Sequence, residues 1–338
     1  MFIVSSYAMA IALCVVTMIC WGSWGNTQKL AGKTWRYELY YWDYVIGVLV
    51  FSLLVGFTLG SFGSEGVPFA ENIRQVAPAA FASAILGGII FNASNILLSA
   101  SVSMAGLSVA FPIGVGLALV LGVFNNYFFG GGSNEGNPVL IFSGVALIVV
   151  ALLFNAKASA GKKAPDGASS SNTRKGIATA IVSGVLMSTF YAFVARAMDL
   201  DNFAAPAAGK ATPYVAFFIF AVGIFLSNFV FNTLVMKRPF VGSPVSYREY
   251  FSGRLSTHLV GVLGGFIWGL GTVLSYISSG EAGASISYAL GQGAPMISAI
   301  WGLWIWKEFK GSGRQAHIYL ALMFVFFIAG LAMIVAAK

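Results

Sequence analysis

Charge is what this chain has least of. Asp, Glu, Lys and Arg together make 9% of its 338 residues, where soluble domains carry about a quarter. With 58% hydrophobic residues, the composition excludes an ordinary soluble domain and is that of a polytopic membrane protein. Cysteine is equally scarce. Cys14 and Cys20 both lie in the first apolar run, six residues apart and off one another's helix face. They read as membrane packing residues rather than as a disulfide or a metal site. Histidine occurs only at His258 and His317, never at zinc spacing, and the eleven acidic residues are scattered. No metal, no cofactor and no enzyme site is therefore expected. What is plentiful is glycine, 40 residues, and aromatics, 15%, both at home in membrane helices. The net charge of +8 reads as loop charge that sets orientation, not as a nucleic-acid surface.

Membrane-spanning helices need about 20 mostly apolar residues. Ten segments qualify, at 7–27, 39–60, 77–101, 105–129, 138–156, 176–198, 213–235, 256–278, 283–306 and 316–336. The first has no positive residues before it and runs straight into a polar stretch, so it is kept as a mature helix rather than a cleaved signal. One connector reads as a linker, "KASAGKKAPDGASSSNTRKG" from Lys157. Its "AGKK" is no phosphate loop, because Ala156 and Lys163 stand where such a loop needs Gly and Ser or Thr. The expected organisation is a first five-helix unit over 1–156, a cytoplasmic linker over 157–175 and a second five-helix unit over 176–338. Fifteen of the nineteen Lys and Arg fall in loops after odd-numbered segments; only Arg74, Arg196, Lys210 and Lys338 lie on the other side. The positive-inside rule then puts the odd loops in the cytosol and both termini outside the cell (inner) membrane.

The two units are related. A shift of 177 positions lays "LGGIIFNASNILLSASVSMAGLSVAFPIGVG" (86–116) on "LGGFIWGLGTVLSYISSGEAGASISYALGQG" (263–293), with eleven of 31 pairs identical. Five helices per unit is an odd number, so the second unit must sit upside down relative to the first. Inverted repeats mark secondary transporters, whose substrate site lies near the midplane between the repeats.

Several stretches carry a family pattern: "CWGSWGNTQK" in segment one, "YWDY" opening segment two, "LGGIIFNASNILLSASVSMAGLSVA" over segments three and four, then "TPYVAFFIF", "LGGFIWGLG" and "GEAGASISYALGQGAPMISAIWGLWIWKEFKGSGR". Through them nearly the whole chain resembles the plant-type ureide permeases and the related glucose/ribose porters of the drug/metabolite transporter (DMT) superfamily. The resemblance implies an all-α fold of ten membrane helices in two inverted five-helix repeats. It also implies import of small polar solutes driven by a proton gradient. The plant ureide permeases carry a phosphate-loop-like sequence in the linker and this chain does not, which moves the expected substrate towards sugars.

Polar groups inside hydrocarbon need partners or a wet cavity, and that selects the candidate residues. In "CWGSWGNTQKLAGK" Trp21, Trp24 and Gln28 share a helix face; with Asn26 they pair indole faces with amides, a combination suited to a sugar or a planar heterocycle. The alternative for this stretch is an interfacial aromatic belt with a snorkelling Lys29. Asp43 lies a turn inside segment two, where a carboxylate is costly and burial favours its neutral form. It is the candidate proton-coupling residue; the structural alternative is an ion pair with Lys29, Lys33 or Arg36. Under the repeat shift Asn92 and Asn95 fall on Gly269 and Thr272, and Phe91 on Trp268. Asn92, Asn95, Trp268 and Thr272 are expected to line a central cavity, the alternative being helix–helix bridging. Gln292, between glycines and just before Pro295, marks an interrupted helix of the kind that opens binding sites. Glu281, Glu308, His258 and His317 read as turn, surface or interfacial residues. With almost no fixed charge in the membrane, the expected partner is a small neutral solute, a monosaccharide such as ribose, glucose or rhamnose ahead of a ureide or nucleobase such as allantoin or uracil. The runner-up is export of drugs or metabolites.

Overall fold

The computed structural model describes residues 1–32, 35–130, 135–160 and 170–338. Lys33 and the centre of the expected linker lie outside the described residues. The chain opens with α1 (Tyr7–Ser23) and α2 (Gly25–Ala31), joined at Trp24, and continues into α3 (Tyr37–Phe57). A short α4 (Phe69–Gln75) precedes α5 (Pro78–Ala105), α6 (Leu107–Phe129) and α7 (Pro138–Ala160). Then come α8 (Ser170–Ala197), α9 (Pro213–Lys237), a short α10 (Tyr247–Phe251) and α11 (Leu255–Ala282). The chain ends with α12 (Ala284–Gly291), α13 (Ala294–Ile300), a π-helical turn (Trp301–Ile305) and α14 (Arg314–Val335).

Among the described residues nine helices, with α1 and α2 taken together, are long and apolar enough to cross a membrane. The expected segment 283–306 is not one continuous helix. Pro295 cannot donate to Gly291 and its ring crowds that carbonyl, so α12 stops at Gly291 and α13 restarts past Gln292 and Gly293. Proline begins α5 and α9, where a missing N–H goes unmissed.

Helix packing follows glycine. α5 lies against α8 and α9, α11 against α1 and α3, α6 against α8, and α7 against α14. A Cβ at Gly88 would fall on the Phe220 carbonyl, and one at Gly265 on the Tyr44 carbonyl. These glycines align under the 177-residue shift, and each lets a neighbouring backbone approach to contact. Between α5 and α6 the chain turns at Gly106 (φ 82°, ψ 157°), and between α11 and α12 at Gly283 (φ 84°, ψ 156°). Those two also align under the 177-residue shift, and both hold a backbone conformation that side chains disfavour.

Glu135, just before α7, fastens the start of α12. Its carboxylate accepts the N–H of Ala284 at 3.1 Å and of Ser285 at 2.8 Å, and the Ser285 hydroxyl donates to it too. It thus satisfies donors that a helix start leaves open, where negative charge is favoured. Burial pushes its carboxyl above the ordinary range, against the pull of those hydrogen bonds and of Lys338.

Candidate functional site

A small cavity of about 20 Å³ sits at the centre of the bundle, room for about one water. Its walls are Trp21 and Trp24 at the α1–α2 junction, Phe91, Asn95 and Leu98 from α5, Phe111 and Val115 from α6, Met187 and Phe190 from α8, Trp268 from α11, and Gln292 and Ala294 at the α12–α13 break. Five of the expected site residues therefore meet here: Trp21, Trp24, Asn95, Trp268 and Gln292. The rings are ordered against one another. Trp21 stacks on Trp268 with centroids 6.1 Å apart and planes 10° apart, and Phe91 lies 4.4 Å from Trp268. Trp24 packs on Tyr44 at 4.9 Å and on Phe111 at 5.9 Å. Gly22 allows this crowding, because a Cβ there would meet the Ala294 carbonyl of α13 at 2.7 Å.

The remaining expected residues stand around rather than in the cavity. Thr272 accepts the indole N–H of Trp21 at 3.2 Å and so sets the ring's position. Gln28 donates to the Ser99 carbonyl at 3.1 Å, one turn beyond Trp24 and Asn95. Asn92 donates to the Ser227 hydroxyl at 2.9 Å and bridges α5 to α9. Asn26 accepts from the Trp306 indole at 2.6 Å, beside Lys29, whose ammonium lies 2.7 Å from Glu308 and 4.2 Å from the Trp306 ring centre. Sequence reasoning missed Met187 and Phe190 of α8, because their apolar side chains carry no local sign that they face a cavity. It also missed Tyr41, whose hydroxyl accepts from Asn95 at 3.2 Å.

Asp43 is 2% exposed and lies away from the cavity, near the start of α3. Its Oδ1 accepts the Tyr250 hydroxyl at 2.6 Å and lies 2.7 Å from His258 Nδ1; its Oδ2 accepts the Trp35 indole at 3.1 Å. Of the cations considered from sequence, Lys29 pairs with Glu308 and Arg36 with Glu38, while Lys33 lies outside the described residues. The partner is His258, read from sequence as an interfacial residue. No local pattern could reveal this, because the two lie 215 positions apart. Gly261 makes room for the pair, since a Cβ there would strike the Asp43 side chain. Burial and the neighbouring carboxylate push the Tyr250 hydroxyl above its ordinary range.

Fold and site together define a class: a multi-pass helical membrane protein with an uncharged, largely aromatic cavity among its helices. The particular family follows from comparison with known proteins. The chain matches the ureide permease family over residues 40–169 and 161–337, and it belongs to that family. It is 24% identical to Ureide permease 2 of Arabidopsis thaliana, covering 100% of this chain and 99% of that one. It is 23% identical to the Enterococcus faecalis (strain ATCC 700802 / V583) protein named "Putative sugar uptake protein", covering 94% and 96%. Among solved structures, a crystal structure of a protein superposes with TM-score 0.56 at 17% identity, covering 98% of this chain and 99% of that one. That last likeness is one of fold.

Proposed function

We propose that the protein is a proton-coupled importer of a small neutral polar solute, working by alternating access, with a monosaccharide ahead of a ureide or nucleobase. The observation that carries this reading is the cavity. None of its twelve lining residues is charged, aromatic faces supply its walls, and the amides of Asn95 and Gln292 supply hydrogen bonds. Such a lining suits a ring with an apolar face and polar edges. An ionic solute would go unpaired there. At about 20 Å³ the walls must part to admit a solute, which is what rocking helices provide.

The two-repeat organisation over 1–156 and 176–338 is part of the proposal, with α12, α13 and the π turn together as a tenth crossing. It is supported by repeat mates that share surroundings: Phe91 with Trp268, and Val115 with Gln292, all four lining the cavity. Asp43 is the proposed coupling residue, since it is a buried carboxylate bonded to a histidine, a tyrosine and a tryptophan. The charge count puts Lys29, Asp43 and Glu308 towards the cytoplasm and both termini outside the inner membrane.

Relatives named for ureides and for sugar uptake make the substrate test parallel. Proteoliposomes with an imposed proton gradient should accumulate labelled ribose, glucose, rhamnose, allantoin or uracil, and an uncoupler should abolish the accumulation. Export of a more apolar solute is the second reading, favoured by ten apolar residues among the twelve that line the cavity. Uptake of none of the five solutes, with extrusion of an apolar dye, would move the protein to that reading.

A further inference from the structure

The helix that brings Trp21 and Trp24 to the cavity does not run on regularly past it. At the α1–α2 junction the Thr27 N–H bonds to the Trp24 carbonyl at 3.0 Å, where the α-helical pattern would use Ser23. Side chains fill in. The Asn26 amide donates to the Ser23 carbonyl at 2.9 Å, and the Thr27 hydroxyl to the Trp24 carbonyl at 2.6 Å. An interrupted ladder of this kind is where a helix can bend. Beyond the joint, α2 stands among helices that line the cavity one turn earlier. A Cβ at Gly25 would meet Leu107 and Phe111 of α6 at 3.0 and 3.2 Å, and Gln28 donates to the Ser99 carbonyl of α5 at 3.1 Å. The Thr27 hydroxyl lies 2.6 Å from the Tyr40 hydroxyl of α3. The chain that follows α13 holds α2 as well. Asn26 accepts the Trp306 indole at 2.6 Å, and Lys29 pairs with Glu308 at 2.7 Å. Just before the joint, the Trp301 indole donates to the Ser23 hydroxyl at 2.8 Å.

We propose that α2 is the gate of the cavity at its Lys29 end, bending at Ser23–Gly25 and parting from the arm 301–308 to let the solute through. The proposal rests on the transport reading above and adds to it which contact opens. Two features favour a gate over a fixed brace. The grip on α2 is largely polar, and a hydrogen bond contributes little net stability because water can replace it. The Lys29 and Glu308 side chains are 34% and 18% exposed, so water can reach these bonds as they part. The arm also has unusual backbone. It holds the π-helical turn Trp301–Ile305 and Lys307, the only non-glycine residue with positive φ (51°) among the described residues. Both kinds of backbone concentrate at functional and switching segments.

The test reads access to the cavity from each face of the membrane. Val115→Cys puts a thiol in the cavity wall, in a protein whose Cys14 and Cys20 are changed to Ala. Lys310→Cys, exposed and two residues from Glu308, is labelled in a parallel preparation and reports which way the protein sits in proteoliposomes. A membrane-impermeant maleimide is then applied from either face. Glu308→Lys, which breaks the ion pair, should speed labelling of the residue-115 thiol from the Lys310 face about twofold to tenfold, the effect of one lost bond. Lys29→Glu combined with Glu308→Lys restores the pair and should restore the slow rate. Asn26→Ala, which releases the Trp306 indole without changing charge, should speed labelling from the same face. Acceleration from the opposite face alone, from neither face, or equally from both would make α2 a brace and overturn the gate. Failure of the importer reading looks different: labelling accelerates as expected, but proteoliposomes of the wild type accumulate none of the five solutes.

Discussion

Phe91 and Trp268 lie ring to ring, with centroids 4.4 Å apart, and occupy the same position in the two related stretches 177 residues apart. Repeat mates can touch only where a pseudo-two-fold axis passes between them, so this contact places the proposed axis at the cavity. Phe190 and Phe220 crowd this pair, Phe190 at 5.1 Å from Phe91 and Phe220 at 5.5 Å from Phe91 and 6.1 Å from Trp268. Aromatic pairs of this kind contribute about 0.5–1.5 kcal/mol beyond burial. If the solute's ring stacks on Trp268 with similar energy, Trp268→Ala should raise the half-saturation for uptake about twofold to tenfold, whereas Trp268→Phe should retain most activity. Uptake kinetics in proteoliposomes check this; equal loss in both variants would assign Trp268 to folding rather than to the site.

Asp43 carries the coupling prediction. Asp43→Asn keeps the size of the side chain and some of its bonds to Tyr250, Trp35 and His258, but cannot ionise. It should abolish accumulation against a gradient and leave exchange of equilibrated solute intact. His258→Gln, which keeps a hydrogen-bond donor beside Asp43, should reduce accumulation less. Normal accumulation by Asp43→Asn would make the cluster a brace between α3, α10 and α11 only.

The glycine contacts predict a stability effect with no functional selectivity. At Gly88 and Gly265 a side chain would collide with a main-chain carbonyl, of Phe220 and Tyr44 respectively. Backbone cannot turn aside as a side chain can, so Gly88→Val or Gly265→Val should destabilise by about 3 kcal/mol or more. Size-exclusion yield and melting temperature in detergent measure this. Gly313→Ala, where nothing lies within 4 Å, serves as the control and should melt as wild type does.

Glu135 predicts a pH dependence. Burial raises its carboxyl above the ordinary glutamate range, so the folded protein binds that proton more tightly than the unfolded chain does. Its contribution to stability is then greatest at pH below the ordinary range and is lost as pH rises through the raised value. As pH falls through the raised range towards the ordinary glutamate range, wild type should gain melting temperature relative to Glu135→Gln. An identical pH profile for both proteins would rule out titration of Glu135 in this range.

Much of this molecule was legible in one dimension. Long apolar runs with few charges foretold the membrane helices, because hydrocarbon admits little else. The Gln292–Pro295 stretch foretold the broken segment, because proline forbids the bond a helix needs. The 177-residue shift paired Phe91 with Trp268, which pack together at the cavity, and indoles with amides pointed to Trp21, Trp24, Asn95, Trp268 and Gln292. Tertiary structure alone decided which polar residues face the cavity. Asn26, Gln28, Asn92 and Thr272 look alike from sequence, yet each is held by a partner 71 to 280 positions away. It alone joined Asp43 to His258 in place of the nearby cations. The physical reason is that periodicity fixes which face of a helix a residue occupies, whereas the neighbour on that face is chosen by helix packing, which glycines set through contacts distant in sequence.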